Sequence, residues 1–95
     1  MTQGKGFLID LKSMEDIKSF ANTVVKYDSD VNIYQGSKSY DAKSIIAIFA
    51  LDTSIPRFVE IISNDKEEIE DFARDMEKFV PTKEEQDGQY TQLWL

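Results

Sequence analysis

The sequence predicts one small domain of the α+β class, on three observations. The chain has 95 residues, which is enough for a single hydrophobic core and too few for two. Two segments, near residues 13–27 and 65–80, repeat apolar residues at the spacing of an amphipathic helix. The remaining segments are short, carry strand-forming residues and are separated by turn residues. We assign the domain to residues 1–81 and treat residues 82–95 as a C-terminal tail.

The composition excludes several classes of function. The chain has no cysteine and no histidine, so disulfides, thiol nucleophiles and imidazole chemistry are absent, and no metal or other cofactor is expected. The net charge of −7 disfavours nucleic acid and anionic membrane surfaces as partners. No transmembrane span or signal peptide is expected, and the lack of cysteine fits a cytoplasmic protein.

The first half of the chain predicts a strand, a helix and a hairpin. In residues 6–11, GFLIDL, every second residue from Phe7 is a large apolar one, a pattern that predicts the first strand. Ser13 is the expected N-cap of a helix over residues 13–27, with Glu15 and Asp16 against the positive end of its dipole. Residues 31–35 and 38–42 flank Gly36-Ser37, a pair suited to a two-residue turn. The buried face of the helix is predicted to comprise Met14, Ile17, Phe20, Ala21, Val24 and Val25.

The second half predicts a strand over residues 57–63 and a final amphipathic helix. Asn64-Asp65 precedes the helix as its cap, acidic residues occupy its first turns, and Pro81 follows its end. Its apolar face is predicted to comprise Ile69, Phe72, Ala73, Met76, Phe79 and Val80.

The apolar run DAKSIIAIFAL, residues 41–51, fits a buried strand or a short helix by its pattern alone. The hairpin leaves Ala42 at the far end of the sheet from Gly36, with few residues left to reach Arg57. A helix from Ser44 to about Leu51 covers that span and gives Ser44 a capping role. A fifth strand would need two more turns in a region without glycine. We therefore predict a helix.

Residues 26–45, KYDSDVNIYQGSKSYDAKSI, resemble the HPr proteins, the small phosphocarriers of the bacterial sugar phosphotransferase system. The pieces KYDSDVNI and AKSI are the most specific, and the matching stretch continues through the apolar run to the last helix. The resemblance implies an HPr-like open-faced β-sandwich, in which a four-stranded antiparallel sheet carries three helices on one face. That fold agrees with the predicted element order and also makes residues 44–51 a short helix.

The sequence departs from the family at its active site. HPr proteins carry the phosphoryl group on a histidine at the start of the first helix, followed by an arginine, and these positions fall near Ser13 and Glu15. Phosphohistidine chemistry needs an imidazole nucleophile and a cation to hold the phosphate; here the imidazole is absent and the arginine position holds a carboxylate. We expect no carrier activity. Because the sequence shows no nucleophile with a matching base, we also expect that the protein is not an enzyme.

A second site of the family is matched by Ser44 in AKSI. In Gram-positive HPr proteins a serine at the start of the second helix is phosphorylated by a dedicated kinase, after which the protein binds a transcription regulator. The catabolite-repression HPr-like proteins also lack the histidine and keep the serine. Ser44 is thus either a regulatory phosphoserine, with its phosphoryl group on the N-terminal amides of a helix, or a capping serine that nothing phosphorylates.

Two apolar surfaces complete the candidate sites. Ile46 and Phe49 are predicted to form a solvent-facing patch, which in HPr proteins docks partner proteins, unless the tail or a second copy covers it. The tail either folds back on the domain or binds a partner, and a weak homodimer through the tail or the patch is a further arrangement. Its apolar residues are Tyr90, Leu93, Trp94 and Leu95.

Two hypotheses about function follow. The first is a non-catalytic HPr-like regulator of carbon catabolism, switched at Ser44 and binding a kinase and a transcription regulator. The second is a degenerate HPr-fold module for protein interaction or assembly, without any phosphorylation.

Overall fold

The structure is a computed structural model that describes residues 4–81. This part of the chain contains four strands and three helices, and a short 3-10 turn, Glu77–Phe79, follows the last helix. The order is β1 (Gly4–Ile9), α1 (Met14–Val24), β2 (Asp30–Gln35), β3 (Lys38–Asp41), α2 (Ile45–Phe49), β4 (Arg57–Ile62) and α3 (Lys66–Met76). The predicted tail, residues 82–95, lies outside the described residues, so the boundary at residue 81 stays a prediction.

The strands form one antiparallel sheet in the order β1-β4-β2-β3. The hairpin β2–β3 turns at Gly36, whose φ of 61° is a left-handed conformation that glycine adopts without strain. Strand β4 inserts between β1 and β2, which leaves β1 and β3 as the two edges. The four-stranded antiparallel sheet with three helices confirms the predicted fold class.

One face of the sheet carries the hydrophobic core. Successive side chains of a strand point to opposite faces, and the register places the fully buried Val31, Ile33, Val59 and Ile61 on the same face. All three helices bury side chains in this core, α1 through Phe20, α2 through Ile48 and α3 through Phe72 and Met76. Within residues 4–81 no helix packs on the opposite face, which we call the open face of the sheet.

The ambiguous run is a helix, as predicted, but a shorter one. Helix α2 begins after Ser44 and ends at Phe49, so Leu51 lies beyond it and is buried in the core. Ala42 donates a backbone hydrogen bond of 2.8 Å to Val31, which holds the start of this segment to β2. No helix within residues 4–81 is both long enough and apolar enough to cross a membrane.

The predicted burial of α1 is wrong at both ends of the helix. Met14 and Val25 are more than half exposed, whereas Ile17, Phe20 and Val24 are buried. Met14 is the first helical residue and Val25 is the C-cap, so both extend past the stripe that faces the sheet. Helical spacing predicts a face of the helix but does not predict how much of its length the sheet covers.

Candidate functional site

Ser44 caps helix α2 through its hydroxyl oxygen. Its backbone is extended, with φ −92° and ψ 108°, and its Oγ accepts a hydrogen bond of 3.3 Å from the Ala47 amide. The carbonyl of Ser44 accepts from the Ile48 amide at 3.1 Å, which is the first hydrogen bond of the helix. The side chain is half-buried. The capping role predicted for Ser44 is therefore present, and part of the residue faces solvent.

The residues before Ser44 hold the start of α2 against the rest of the domain. The Lys43 amide donates to Asp41 Oδ1 at 2.9 Å, and the Ser44 amide donates to the Asp41 carbonyl at 3.0 Å. The ammonium group of Lys43 reaches the backbone carbonyl of Tyr27, 2.5 Å away. The two charged side chains nearest to Ser44 in sequence, Asp41 and Lys43, therefore both bond to groups of the protein itself.

Three exposed side chains on α2 form what we call the α2 patch: Ile45, Ile46 and Phe49. Their exposed fractions are 40%, 80% and 51%, whereas Ile48 between them is fully buried. A helix this short has one side on the sheet and cannot bury all four residues. The structure therefore places Ser44 at one end of a solvent-facing apolar surface, and Ile46 and Phe49 both belong to that surface.

The start of α1 is a second capping site. Ser13 Oγ accepts from the Asp16 amide at 3.1 Å, and Asp16 Oδ2 accepts from the Lys12 amide at 3.0 Å. The first bond satisfies an amide that a helix start leaves without a partner, and the second ties the residue before the cap to the first turn. Glu15 is exposed beside it. The arrangement holds a hydroxyl and carboxylates, and the chain has no imidazole to place there.

A polar groove along α3 was missed by the sequence analysis. Glu68 accepts hydrogen bonds from Ser29 Oγ at 2.5 Å and from Ser63 Oγ at 2.6 Å, and these bonds lower its pKa. The Ser29 amide adds a third bond of 3.3 Å. Ser29 and Glu68 are 39 residues apart, so no local pattern could have paired them.

Further along the groove, Tyr27 donates a hydrogen bond to Asp75. Burial and this hydrogen bond raise the pKa of Tyr27, while the same bond and the nearby Lys26 lower the pKa of Asp75. The Lys26 ammonium lies 3.4 Å from Asp75 Oδ2, and Arg74 pairs with Asp71 at 2.9 Å. These carboxylates are satisfied by protein donors, and within the described residues no cluster of acidic side chains has a metal-binding arrangement.

The described structure brings together some predicted site residues and separates others. Ser44, Ile46 and Phe49 share helix α2, whereas Ser13 and Glu15 lie at the start of α1. The predicted tail contacts of Tyr90, Leu93, Trp94 and Leu95 lie outside the described residues.

The fold is that of the HPr phosphocarrier proteins. The crystal structure of HPr-C-His from Thermoanaerobacter tengcongensis superposes with a TM-score of 0.62 at 23% identity, over 80% of this chain and 92% of that chain. The phosphocarrier protein HPr from Bacillus anthracis gives 0.60 at 20% identity, over 82% and 96%. The histidine-containing phosphocarrier protein of Mycoplasma gives 0.60 at 18%, over 84% and 100%.

At these identities the similarity shows the fold alone. A shared fold does not establish a shared function, because function depends on particular site residues. No family model matches the sequence, and no curated protein matches it. The described chain therefore has the HPr-like fold.

Proposed function

We propose that this protein is a non-catalytic, HPr-like regulatory protein that acts through protein contacts and is switched by phosphorylation of Ser44. The observation that carries the proposal is the position of Ser44, half-buried and directly beside the exposed α2 patch. A phosphoryl group on Ser44 would add a charge of about −2 at the edge of an apolar surface. Such a change alters which partner surfaces the patch can bind, because a buried unpaired charge is costly.

The same proposal excludes carrier activity. HPr proteins carry the phosphoryl group on an imidazole nitrogen, and this chain contains no histidine. The start of α1, where the resemblance places that histidine, holds the capping hydroxyl of Ser13 with the carboxylates of Glu15 and Asp16 around it. Two carboxylates repel the anion that a carrier must accept.

The test is phosphorylation of the full chain by an HPr serine kinase with ATP, followed by intact-mass and peptide mass spectrometry. One phosphoryl group on Ser44 is expected. Ser44→Ala should abolish it, and Ser13→Ala, which removes the other capping serine, should leave it unchanged. Failure to phosphorylate the protein, or modification at another residue, would remove the support for a switch at Ser44.

A separate assay tests the absence of carrier activity. Incubation with phosphoenolpyruvate and the general phosphotransferase enzyme should leave the mass of the protein unchanged, since no imidazole is present. An HPr protein with its histidine is the positive control. Stable phosphorylation of this chain under those conditions would refute the proposal.

The α2 patch favours a second candidate, an interaction or assembly module that needs no phosphorylation. The three side chains of the patch are exposed together on one short helix, Ile46 most of all at 80%, and a contiguous exposed apolar patch is typical of a contact surface. A concentration series in sedimentation velocity tests self-association of the unmodified protein. Ile46→Ser should weaken any association, and Val25→Ser, at an exposed valine after α1, should not. A monomer at every concentration would exclude assembly through this patch.

A further inference from the structure

The open face of the sheet carries a row of large side chains across three strands. Leu8 of β1 pairs with Phe58 of β4, and Tyr34 of β2 stands on the other side of Phe58. The rings of Tyr34 and Phe58 lie 5.9 Å apart between centroids, and the Tyr34 hydroxyl donates to Glu60 at 2.8 Å. We call Leu8, Phe58 and Tyr34 the open-face row. Each lies opposite to the helices.

Leu8 is buried although it lies on the face of the sheet that the helices leave open. It is 8% exposed, and, prolines aside, it is the one buried hydrophobic residue of the described chain that lies outside the core cluster. It lies on an edge strand, and the helices all pack on the other face. The Phe58 ring extends over Gly6, where an added Cβ would come within 2.0 Å of Phe58 Cζ. A leucine on an edge strand can be this little exposed on the open face only if other side chains cover it there.

The end of the described chain lies close to this row. The Asp10 amide donates to the Phe79 carbonyl at 2.7 Å, so the segment before Pro81 runs beside the end of β1, two residues from Leu8. The seven residues from Thr82 to Gly88 can span roughly 23 Å when extended, and the row crosses two interstrand spacings, about 10 Å. Residues 90–95 can therefore reach the open face around the β1 edge.

We propose that the C-terminal segment 90–95, YTQLWL, docks on the open-face row of its own domain. Its apolar side chains would cover Leu8, Phe58 and Tyr34, which removes apolar surface from water on both sides of the contact. The connecting residues TKEEQDG are polar and stay in solvent. The occupant is the chain's own segment, because the tether gives an effective concentration of about millimolar, whereas a second copy is present only at its concentration in solution and carries the same charge of −7.

A spin-label experiment on the full chain tests the docking. The chain has no cysteine and one tryptophan, so a single introduced cysteine can carry the label and the Trp94 indole N–H gives one NMR resonance. Ser39→Cys places the label on the open face, since Ser39 is exposed and pairs with Tyr34. Asn22→Cys, on the exposed side of α1, is the matched control on the helix side. The indole signal should be strongly broadened by the label at 39 and retained with the label at 22.

Two further samples distinguish the alternatives. The first sample mixes natural-abundance protein that carries the spin label at residue 39 with isotope-labelled wild type. The indole signal of the wild type should be unchanged in this mixture. Broadening in that mixture would mean that a second copy is the occupant, which overturns the proposal. Equal indole intensity in the two singly labelled variants, Ser39→Cys and Asn22→Cys, would also overturn the proposal, because the segment would then be away from the open face. Leu8→Ser should restore the signal broadened by the label at 39, with backbone amide shifts reporting that the domain is still folded.

Discussion

The phenol hydroxyl of Tyr27 donates a hydrogen bond to the carboxylate of Asp75, which ties the segment after α1 to the last turn of α3. The ring of Tyr27 also packs edge-on against Phe72, with centroids 5.5 Å apart. Its backbone carbonyl accepts from the Lys43 ammonium, just before α2. Tyr27 therefore connects all three helices, and it positions the residue that precedes Ser44.

Replacing Tyr27 with phenylalanine keeps the ring packing and removes the hydroxyl. The free energy of unfolding should fall by about 1–2 kcal/mol, because a hydrogen bond to a carboxylate is lost. Urea titration at neutral pH measures the change, and Tyr40→Phe on the edge strand β3 is the control. The pKa of Asp75, which the hydrogen bond lowers, should rise in the variant. An unchanged Asp75 titration by carbon-13 NMR would show that the hydroxyl does not act on this carboxylate.

Stability should depend on the ionisation of Glu68. Hydrogen bonds from Ser29 and Ser63 hold the folded-state pKa of Glu68 below its unfolded value. Its contribution is therefore present above the unfolded pKa, about 4.3, and is lost as the pH falls through the lower folded pKa. Glu68→Gln should reduce stability by about 1 kcal/mol at neutral pH, and the difference from wild type should shrink in acid.

The measurement for Glu68 is urea unfolding at a series of pH values from neutral to acid. Glu70→Gln is the matched control, since Glu70 is an exposed carboxylate on the same helix. A difference between wild type and Glu68→Gln that is constant with pH would contradict the role assigned to the charged form.

Gly6→Ala should destabilise the open face. The added Cβ would lie 2.0–2.8 Å from three atoms of the Phe58 ring, so the ring has to move. Overpacking of this kind typically costs about 1–3 kcal/mol. In a Phe58→Ala background the same substitution should cost much less, because the ring is gone. Equal costs in both backgrounds, by denaturant titration, would place the strain elsewhere than at Phe58.

Phe72→Ala should lower the free energy of unfolding by about 3–5 kcal/mol, because it empties a fully buried aromatic site. The ring contacts Tyr27 and also Phe7, with centroids 6.0 Å apart in the second pair. Since such a loss can approach the total stability of a small domain, Phe72→Leu provides a milder variant. Met14→Ala, at an exposed position, is the control. A loss below about 1 kcal/mol for Phe72→Ala would contradict the packing of α3.

The caps and the turn could be predicted from the sequence because they depend on residues close together in the chain. Ser13, Ser44 and Asp65 each bond an amide two or three residues onward, and Gly36 supplies a left-handed φ within its own turn. The stripes of apolar residues likewise predicted which faces of α1 and α3 meet the sheet. For the candidate site, this local chemistry was sufficient to place Ser44 at a helix start.

Contacts between distant parts of the chain were decided only by the tertiary structure. The hydrogen bond of Glu68 with Ser29 joins residues that are 39 positions apart in the chain. The exposure of Met14 depends on how far the sheet extends beneath α1, and the burial of Leu8 depends on what lies over the open face. Periodicity gives the direction of a side chain relative to its own element and carries no information on what lies across from it. Burial is a property of the assembled layers, since packing alone decides which apolar surface loses contact with water.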